Sequence, residues 1–180
     1  MDPIEVITLF SGPGSRARDI LIRHSRQVAE KAVAIGKQVP DLRPDLSFLH
    51  EAAMLHDIGI FLTRSPDLGC FGRHPYVCHG VEGRALLEHL GLSRHGRVCE
   101  RHVGVGITVR DIQRQNLPLP LRDMTPRSLE EEIICFADKF FSKNGPGQGE
   151  KPAGEILRAL APYGPDKAAR FRGWMERFGV

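Results

Sequence analysis

Apolar residues recur every three or four positions along most of the chain, whereas strictly alternating apolar and polar residues are almost absent. This spacing is typical of amphipathic helices, which bury one face and expose the other. The pattern therefore predicts an all-α protein. We expect helices at residues 4–10, 15–39, 46–57, 79–91, 93–103, 127–143, 153–161 and 165–178.

Segments that contain proline, most of them together with glycine, interrupt the helical pattern. They are residues 11–14, 63–78, 113–126 and 144–152, and we predict loops or breaks at each of them. The two longest, 63–78 and 113–126, are candidates to cover a ligand site, because loops on a rigid helical frame often determine specificity.

Six ionisable side chains fall on the apolar faces of the predicted helices. They are His24, His56, Asp57, His79, His102 and Asp138. A single histidine in such a position is usually a hydrogen-bonded core residue, and a single aspartate can cap a helix or a turn. Burying all six together is costly for every ionised group unless another charge compensates. A bound cation is the simplest compensation, because carboxylates and neutral imidazoles are common metal ligands.

Four of these residues resemble the signature H…HD…D of the HD superfamily of metal-dependent phosphohydrolases. Here His24 comes first, His56 and Asp57 follow in AAMLHDIG, and Asp138 lies in FADKF. The resemblance covers about residues 20–143 and is closest to small stand-alone members. It implies an HD-domain helical bundle in which these four residues bind a first metal ion.

Two further segments are similar to those of family members that hold two metal ions. HGVEGRALL contains His79, and RHVGVG contains His102. The resemblance implies that both histidines complete a second metal site bridged by Asp57, or contact phosphate and donate protons if one metal binds. It implies one or two divalent metal ions, with iron, manganese, cobalt or nickel favoured by nitrogen and oxygen ligands. Asp57 is then the candidate catalytic residue, through bridging and water activation.

The resemblance implies a metal-dependent phosphohydrolase. We expect it to cleave a phosphomonoester, phosphodiester or phosphoanhydride of a nucleotide-like small molecule with a metal-activated water. Two alternatives stay open: an oxidative di-iron enzyme of the same fold, and a non-catalytic sensor that binds a nucleotide or a metal. Substrate phosphate needs further positive charge, and the candidate contacts are His74, Arg110, Lys139 and Lys143.

Composition and charge narrow the expected partners. The 180 residues carry a net charge of +3 without a basic and aromatic stripe, which favours small anionic ligands over nucleic acid. The length predicts a single domain over 1–180, with a core at about 15–143 and C-terminal helices at 153–178 packed on it. We expect a cytoplasmic protein that binds a small phosphorylated substrate and no membrane, because no bilayer-length apolar run, signal peptide or CxxC spacing occurs. The sequence leaves a homodimer open.

Overall fold

The computed structural model describes residues 1–12, 14–143 and 149–179, and its secondary structure is mostly helical. The helices are α1 (Pro3–Leu9), α2 (Arg16–Gln38), α3 (Leu46–Leu55), α4 (His79–His89), α5 (Ser93–Arg101), α6 (Val109–Gln115), α7 (Leu129–Asp138), α8 (Ala153–Leu160) and α9 (Pro165–Phe178). The prediction of an all-α protein is confirmed. Among the described residues, no helix has the length and apolar character needed to cross a membrane.

Helix α2 packs against both α3 and α7, and α4 packs against α5. Ser15 caps the beginning of α2, and its hydroxyl group accepts a hydrogen bond from the backbone N–H of Arg18 at 3.3 Å. The inner face of α2 carries Leu21 and Val28, which have no exposed surface. His24 lies on this same face and is 1% exposed. The apolar spacing that forms α2 therefore also brings His24 into the interior.

Helix α3 ends two residues earlier than predicted, and the chain soon continues as a short 3₁₀ helix, Ile58–Leu62. The physical reason lies at Gly59, where the backbone passes directly against α4. A Cβ atom on Gly59 would lie 2.0 Å from the carbonyl oxygen of His79 and 2.4 Å from the backbone nitrogen of Gly83. This close approach brings Asp57 next to the first turn of α4.

The predicted loop at 63–78 contains regular structure. It forms a three-stranded sheet from β1 (Thr63–Ser65), β2 (Cys70–Phe71) and β3 (His74–Pro75), in the order β2-β1-β3. Strand β1 pairs antiparallel with β2 and parallel with β3. Strands of two or three residues are too short to produce a recognisable alternation, so the sequence pattern did not predict them.

Two features near the other predicted loops also differ: helix α6 was not predicted, and α7 ends earlier than predicted. Helix α6 occupies the start of the predicted loop at 113–126, because Thr108 and Asp111 form a capping box at its beginning. Helix α7 ends at Asp138 instead of residue 143. Residues 144–148 of the predicted loop at 144–152, and Pro13 of the predicted break at 11–14, lie outside the described residues.

The C-terminal helices pack beside α7 through aromatic rings. The ring of Phe136 on α7 lies 4.9 Å from that of Phe171, 6.3 Å from that of Trp174 and 5.5 Å from that of Phe178, measured between centroids. All four side chains are buried. Helix α8 packs in turn on α9.

Candidate metal centre

Four side chains from α2, the end of α3 and the end of α7 converge in the interior. They belong to His24, His56, Asp57 and Asp138, and one ligand atom from each lies within 4.8 Å of the others. His24 Nε2 lies 3.2 Å from Asp57 Oδ2 and 3.0 Å from Asp138 Oδ1. His56 Nε2 lies 3.1 Å and 3.4 Å from the same two oxygens. Each of the four residues is buried.

A second group of side chains shares Asp57 with the first. His79 Nε2 and His102 Nε2 each lie 3.3 Å from Asp57 Oδ1, and they are 3.2 Å from each other. Asp57 therefore directs Oδ2 to the first group and Oδ1 to the second, as a carboxylate that bridges two cations must do. The structure brings together all six residues that were predicted as metal ligands.

Backbone carbonyl groups fix the tautomers of three of these histidines. The Nδ1 atom of His56 lies 2.6 Å from the oxygen of Ala53, that of His79 lies 2.7 Å from the oxygen of Tyr76, and that of His102 lies 2.7 Å from the oxygen of Cys99. A carbonyl oxygen only accepts hydrogen bonds, so each neutral ring carries its hydrogen on Nδ1. Each Nε2 then presents a lone pair to the cluster.

These lone pairs face carboxylate oxygens, which are acceptors as well. Among the described residues, His56 Nε2 and Asp57 Oδ1 are buried without a hydrogen-bond partner, whereas Asp57 Oδ2 has the ammonium group of Lys143 within 2.6 Å. Buried acceptors that face one another need a proton or a cation between them. Nitrogen and oxygen donors in two compact groups are suitable ligands for transition metals. The residues present therefore fit divalent metal ions.

The pKa values of the cluster reflect competition between burial and charge. Without a metal ion, burial lowers the pKa of His56, but Asp57 and Asp138 outweigh this effect and raise the pKa to about 9, so Nε2 holds a proton where a bound cation would otherwise lie. For His79 burial prevails and lowers the pKa to about 3. Burial raises the pKa of Asp57, but Lys143 and His56 outweigh it and hold that pKa well below its usual range. Asp57 is therefore an anion at neutral pH.

Two lysines that were predicted as substrate contacts lie against the aspartates of the cluster. Lys143 Nζ is 2.6 Å from Asp57 Oδ2, and Lys139 Nζ is 2.8 Å from Asp138 Oδ2. Their side chains are 14% and 16% exposed. Because α7 ends at Asp138, neither lysine is held on the outer face of a continuing helix. Both place positive charge at the edge of the cluster.

The other two predicted substrate contacts lie elsewhere. His74 is exposed on β3, and its Nδ1 lies 3.4 Å from Glu82 Oε1. Arg110 is exposed on α6. Neither residue belongs to the two groups of ligand atoms or lines the cavity beside them. Their roles in substrate binding stay predictions.

A cavity of about 540 Å³ opens beside Asp138 and is lined by both lysines of the cluster. Tyr76 lines it from the end of the 63–78 segment, so one of the two predicted covering loops reaches the site. No residue of the 113–126 segment lines this cavity. Lys151, just before α8, lines it as well.

Sequence reasoning missed Tyr76 and Lys151. A local signal existed for Tyr76, because it precedes His79 by three residues and its carbonyl group orients that ring. Lys151 had no such signal. Its position depends on how α8 docks on the rest of the protein, which the spacing of apolar residues does not specify.

The fold and the cluster together define a helical protein in which a paired histidine and aspartate follow a core helix and belong to a buried group of side chains that fits divalent metal ions. The model of the HD domain matches residues 21–142, and the chain belongs to this family.

Relatives from three organisms are similar in sequence. Two tRNA (cytidine(56)-2′-O)-methyltransferases, from Picrophilus torridus and Thermoplasma volcanium, are 32% and 33% identical over 127 residues, which cover 70% of this chain and 33% of each relative. An uncharacterized protein from Methanocaldococcus jannaschii is 30% identical over 121 residues, which cover 66% of this chain and 64% of that protein. The chain thus spans about a third of the length of the methyltransferases it matches.

A solved structure has the same fold. The HD domain of the phosphodiesterase PgpH from L. monocytogenes matches 95% of this chain, and 93% of that chain is covered, with a TM-score of 0.54 and 14% sequence identity. The predicted HD-domain helical bundle is therefore confirmed.

Proposed function

We propose that the protein is a metal-dependent phosphohydrolase that acts on a small, nucleotide-like phosphate ester. The observation that carries this proposal is the position of Asp57, whose two carboxylate oxygens face two separate groups of ligand atoms. Membership of the HD family supports it, and so does the fold shared with a phosphodiesterase domain. The methyltransferase names belong to proteins of which two thirds lie outside the match.

The ligand assignment follows from the two groups. His24, His56, Asp57 and Asp138 would hold a first metal ion, and Asp57, His79 and His102 would hold a second. Nitrogen and oxygen ligands of this kind favour iron, manganese, cobalt or nickel. When bound, a pair of such ions supplies an activated water and stabilises the charge that develops on a phosphoryl group. The carbonyl groups that hold the histidine Nδ1 atoms orient the rings for this task.

Positive side chains distinguish a phosphorylated substrate from a neutral one. Lys139 and Lys143 line the cavity and lie against the aspartates of the cluster. Their ammonium groups can pair with phosphate oxygens that enter the cavity. A neutral polyol, the kind of substrate that oxidative di-iron members of the fold use, has no charge for them to pair with. The lysines therefore favour phosphoester hydrolysis over oxidation.

The test combines metal analysis with substrate turnover. Purified protein is analysed for bound metals, and phosphate or nucleoside phosphate release is measured over nucleoside monophosphates, nucleotide diesters and dinucleoside polyphosphates. We expect Asp57→Asn and His56→Ala to lose metal and to lower kcat by more than about a hundredfold, because even residues that only orient ligands cost 10- to 100-fold. His50→Ala is the matched control, since His50 is exposed on α3, the helix that leads directly to His56 and Asp57.

Two results would decide against the proposal. Undiminished turnover by the Asp57→Asn protein would show that the cluster is not the active site. Tight nucleotide binding by metal-loaded wild-type protein without hydrolysis of any member of the panel would identify a sensor instead.

A further inference from the structure

The far wall of the cavity comes from a segment outside the residues that match the HD domain. The match ends at residue 142, whereas Lys151, Glu155 and Ile156 line the cavity from the start of α8. The cavity therefore extends from Asp138, a proposed metal ligand, to a wall of residues that lie outside the match to the HD domain. Specificity of this chain for its own substrate can arise at that wall.

This wall is held in a defined position. The backbone N–H of Lys151 donates a hydrogen bond to the carbonyl oxygen of Phe140 at 2.8 Å. Ile156 and Leu160 are 4% and 7% exposed and belong to the hydrophobic core. Because backbone and apolar contacts fix the start of α8, the side chains of Lys151 and Glu155 begin at fixed points beside the cavity.

Two charged side chains of the wall have no ion-pair partner among the described residues. The ammonium groups of Lys139 and Lys143 contact aspartates of the cluster, but Lys151 and Glu155 form no ion pair with another residue in the described part of the chain. Lys151 is also partly buried, so its charge is partly removed from water. An anionic group of a ligand would supply the missing partner.

The dimensions of the cavity limit the size of such a ligand. A volume of about 540 Å³ is within the range of small-molecule sites and suits one nucleotide-sized molecule. Leu68, Tyr76 and Ile156 contribute apolar surface that can contact a sugar or a base. A ligand that uses the whole cavity has one phosphate at the metal cluster, a ring system, and a second anionic group at Lys151.

We propose that Lys151 forms a specificity subsite for the second phosphate of a nucleoside bisphosphate, and that Glu155 weakens this anion binding. The inference rests on the proposed function, because it places the first phosphate at the metal cluster. The substrate class is then a single nucleotide with phosphates at two separate positions, rather than a dinucleotide whose second nucleoside would extend out of the cavity.

Binding measurements on metal-loaded protein test this subsite. Calorimetry gives the Kd of adenosine 5′-monophosphate and of adenosine 3′,5′-bisphosphate. We expect wild-type protein to prefer the bisphosphate, and Lys151→Met to raise the bisphosphate Kd roughly tenfold, as the loss of a charge-assisted hydrogen bond implies. Lys151→Arg should retain the preference, and Glu155→Gln should strengthen it. Lys37→Met, at an exposed position of α2, is the matched control.

Several outcomes would overturn the subsite. They are equal affinity of the wild-type protein for both nucleotides, an unchanged preference in Lys151→Met, and a loss of preference in Lys37→Met. Equal melting temperatures of Lys151→Met and wild-type protein without nucleotide confirm that the variant is folded. Because the readout is binding, absence of hydrolysis contradicts the proposed function alone, whereas hydrolysis without a bisphosphate preference contradicts the subsite alone.

Discussion

At the scale of single residues, Asp57 keeps a negative charge at a position that water does not reach. Its side chain is completely buried, and Lys143 Nζ lies 2.6 Å from Oδ2, the oxygen that also faces His24 and His56. When no metal is bound, this ammonium group compensates the buried carboxylate. A metal ion in the first group must share or replace that contact. Lys143 therefore stabilises the metal-free protein and opposes the binding of a cation.

The variant Lys143→Met separates these two effects. We expect it to lower the free energy of unfolding of chelator-treated protein by roughly 3 kcal/mol, because a buried carboxylate loses its partner. We also expect it to bind metal more tightly, because no ammonium group opposes the cation. Calorimetric Tm values with and without metal measure both effects, with Lys37→Met as control. Equal rises in Tm on metal addition in variant and wild-type protein would disprove the competition.

At the scale of elements, the contact between the 3₁₀ helix Ile58–Leu62 and α4 determines the geometry of the site. Gly59 lies against the backbone of α4 at the turn that carries His79, so one contact positions ligands of both groups. A side chain cannot be added at Gly59 without moving backbone atoms of one element or the other. The shared position of Asp57 between the two groups depends on this close packing.

We expect Gly59→Ala to lower the free energy of unfolding by about 3 kcal/mol or more and to reduce the metal content of the purified protein, because backbone atoms must shift to admit the methyl group. Urea unfolding and metal analysis provide the measurements. Gly173→Ala is the control: Gly173 is exposed within α9, a Cβ there meets no atom within 4 Å, and alanine favours helix by up to about 1 kcal/mol. Similar losses in both variants would refute the close-packing explanation.

The elements also show which features the sequence could predict. The apolar spacing of the long helices predicted their faces, and His24 and His102 lie where those faces require. Helix α6 was missed because its capping box at Thr108 is a local feature within a segment too short to show periodicity. The contact of Lys143 with the cluster and the position of Lys151 on the cavity wall depend on tertiary packing. Spacing along one helix contains no information about either.

At the scale of the whole molecule, a buried ion pair links the C-terminal helices to the HD core. Lys167 on α9 contacts the carboxylate of Asp111 on α6 and donates a hydrogen bond to the carbonyl oxygen of Gly106 at 3.0 Å. The side chains of Lys167 and Asp111 are 6% and 9% exposed. Since α8 packs on α9, this pair helps to hold the cavity wall in place.

This ion pair predicts a specific loss of stability in acid. Burial raises the pKa of Asp111, but hydrogen bonds from Lys167 and Thr108 outweigh it and lower the pKa to about 2, from 3.8 in an unfolded chain. A carboxyl group whose pKa is lower in the folded state contributes its full stability above the unfolded pKa and loses it as the pH falls towards the folded pKa. The difference corresponds to about 2 kcal/mol between about pH 5 and pH 2.

The substitution Asp111→Asn isolates this contribution from those of all other carboxyl groups. Urea unfolding of wild-type protein between about pH 5 and pH 2 should show a loss of free energy about 2 kcal/mol larger than in the variant, because the amide does not titrate. Asp41→Asn, at an exposed position, should follow the wild-type curve. Parallel curves for wild-type protein and Asp111→Asn would mean that the pair does not stabilise the folded protein. The C-terminal helices would then be held to the core by apolar packing alone, and the cavity wall would keep its position in acid.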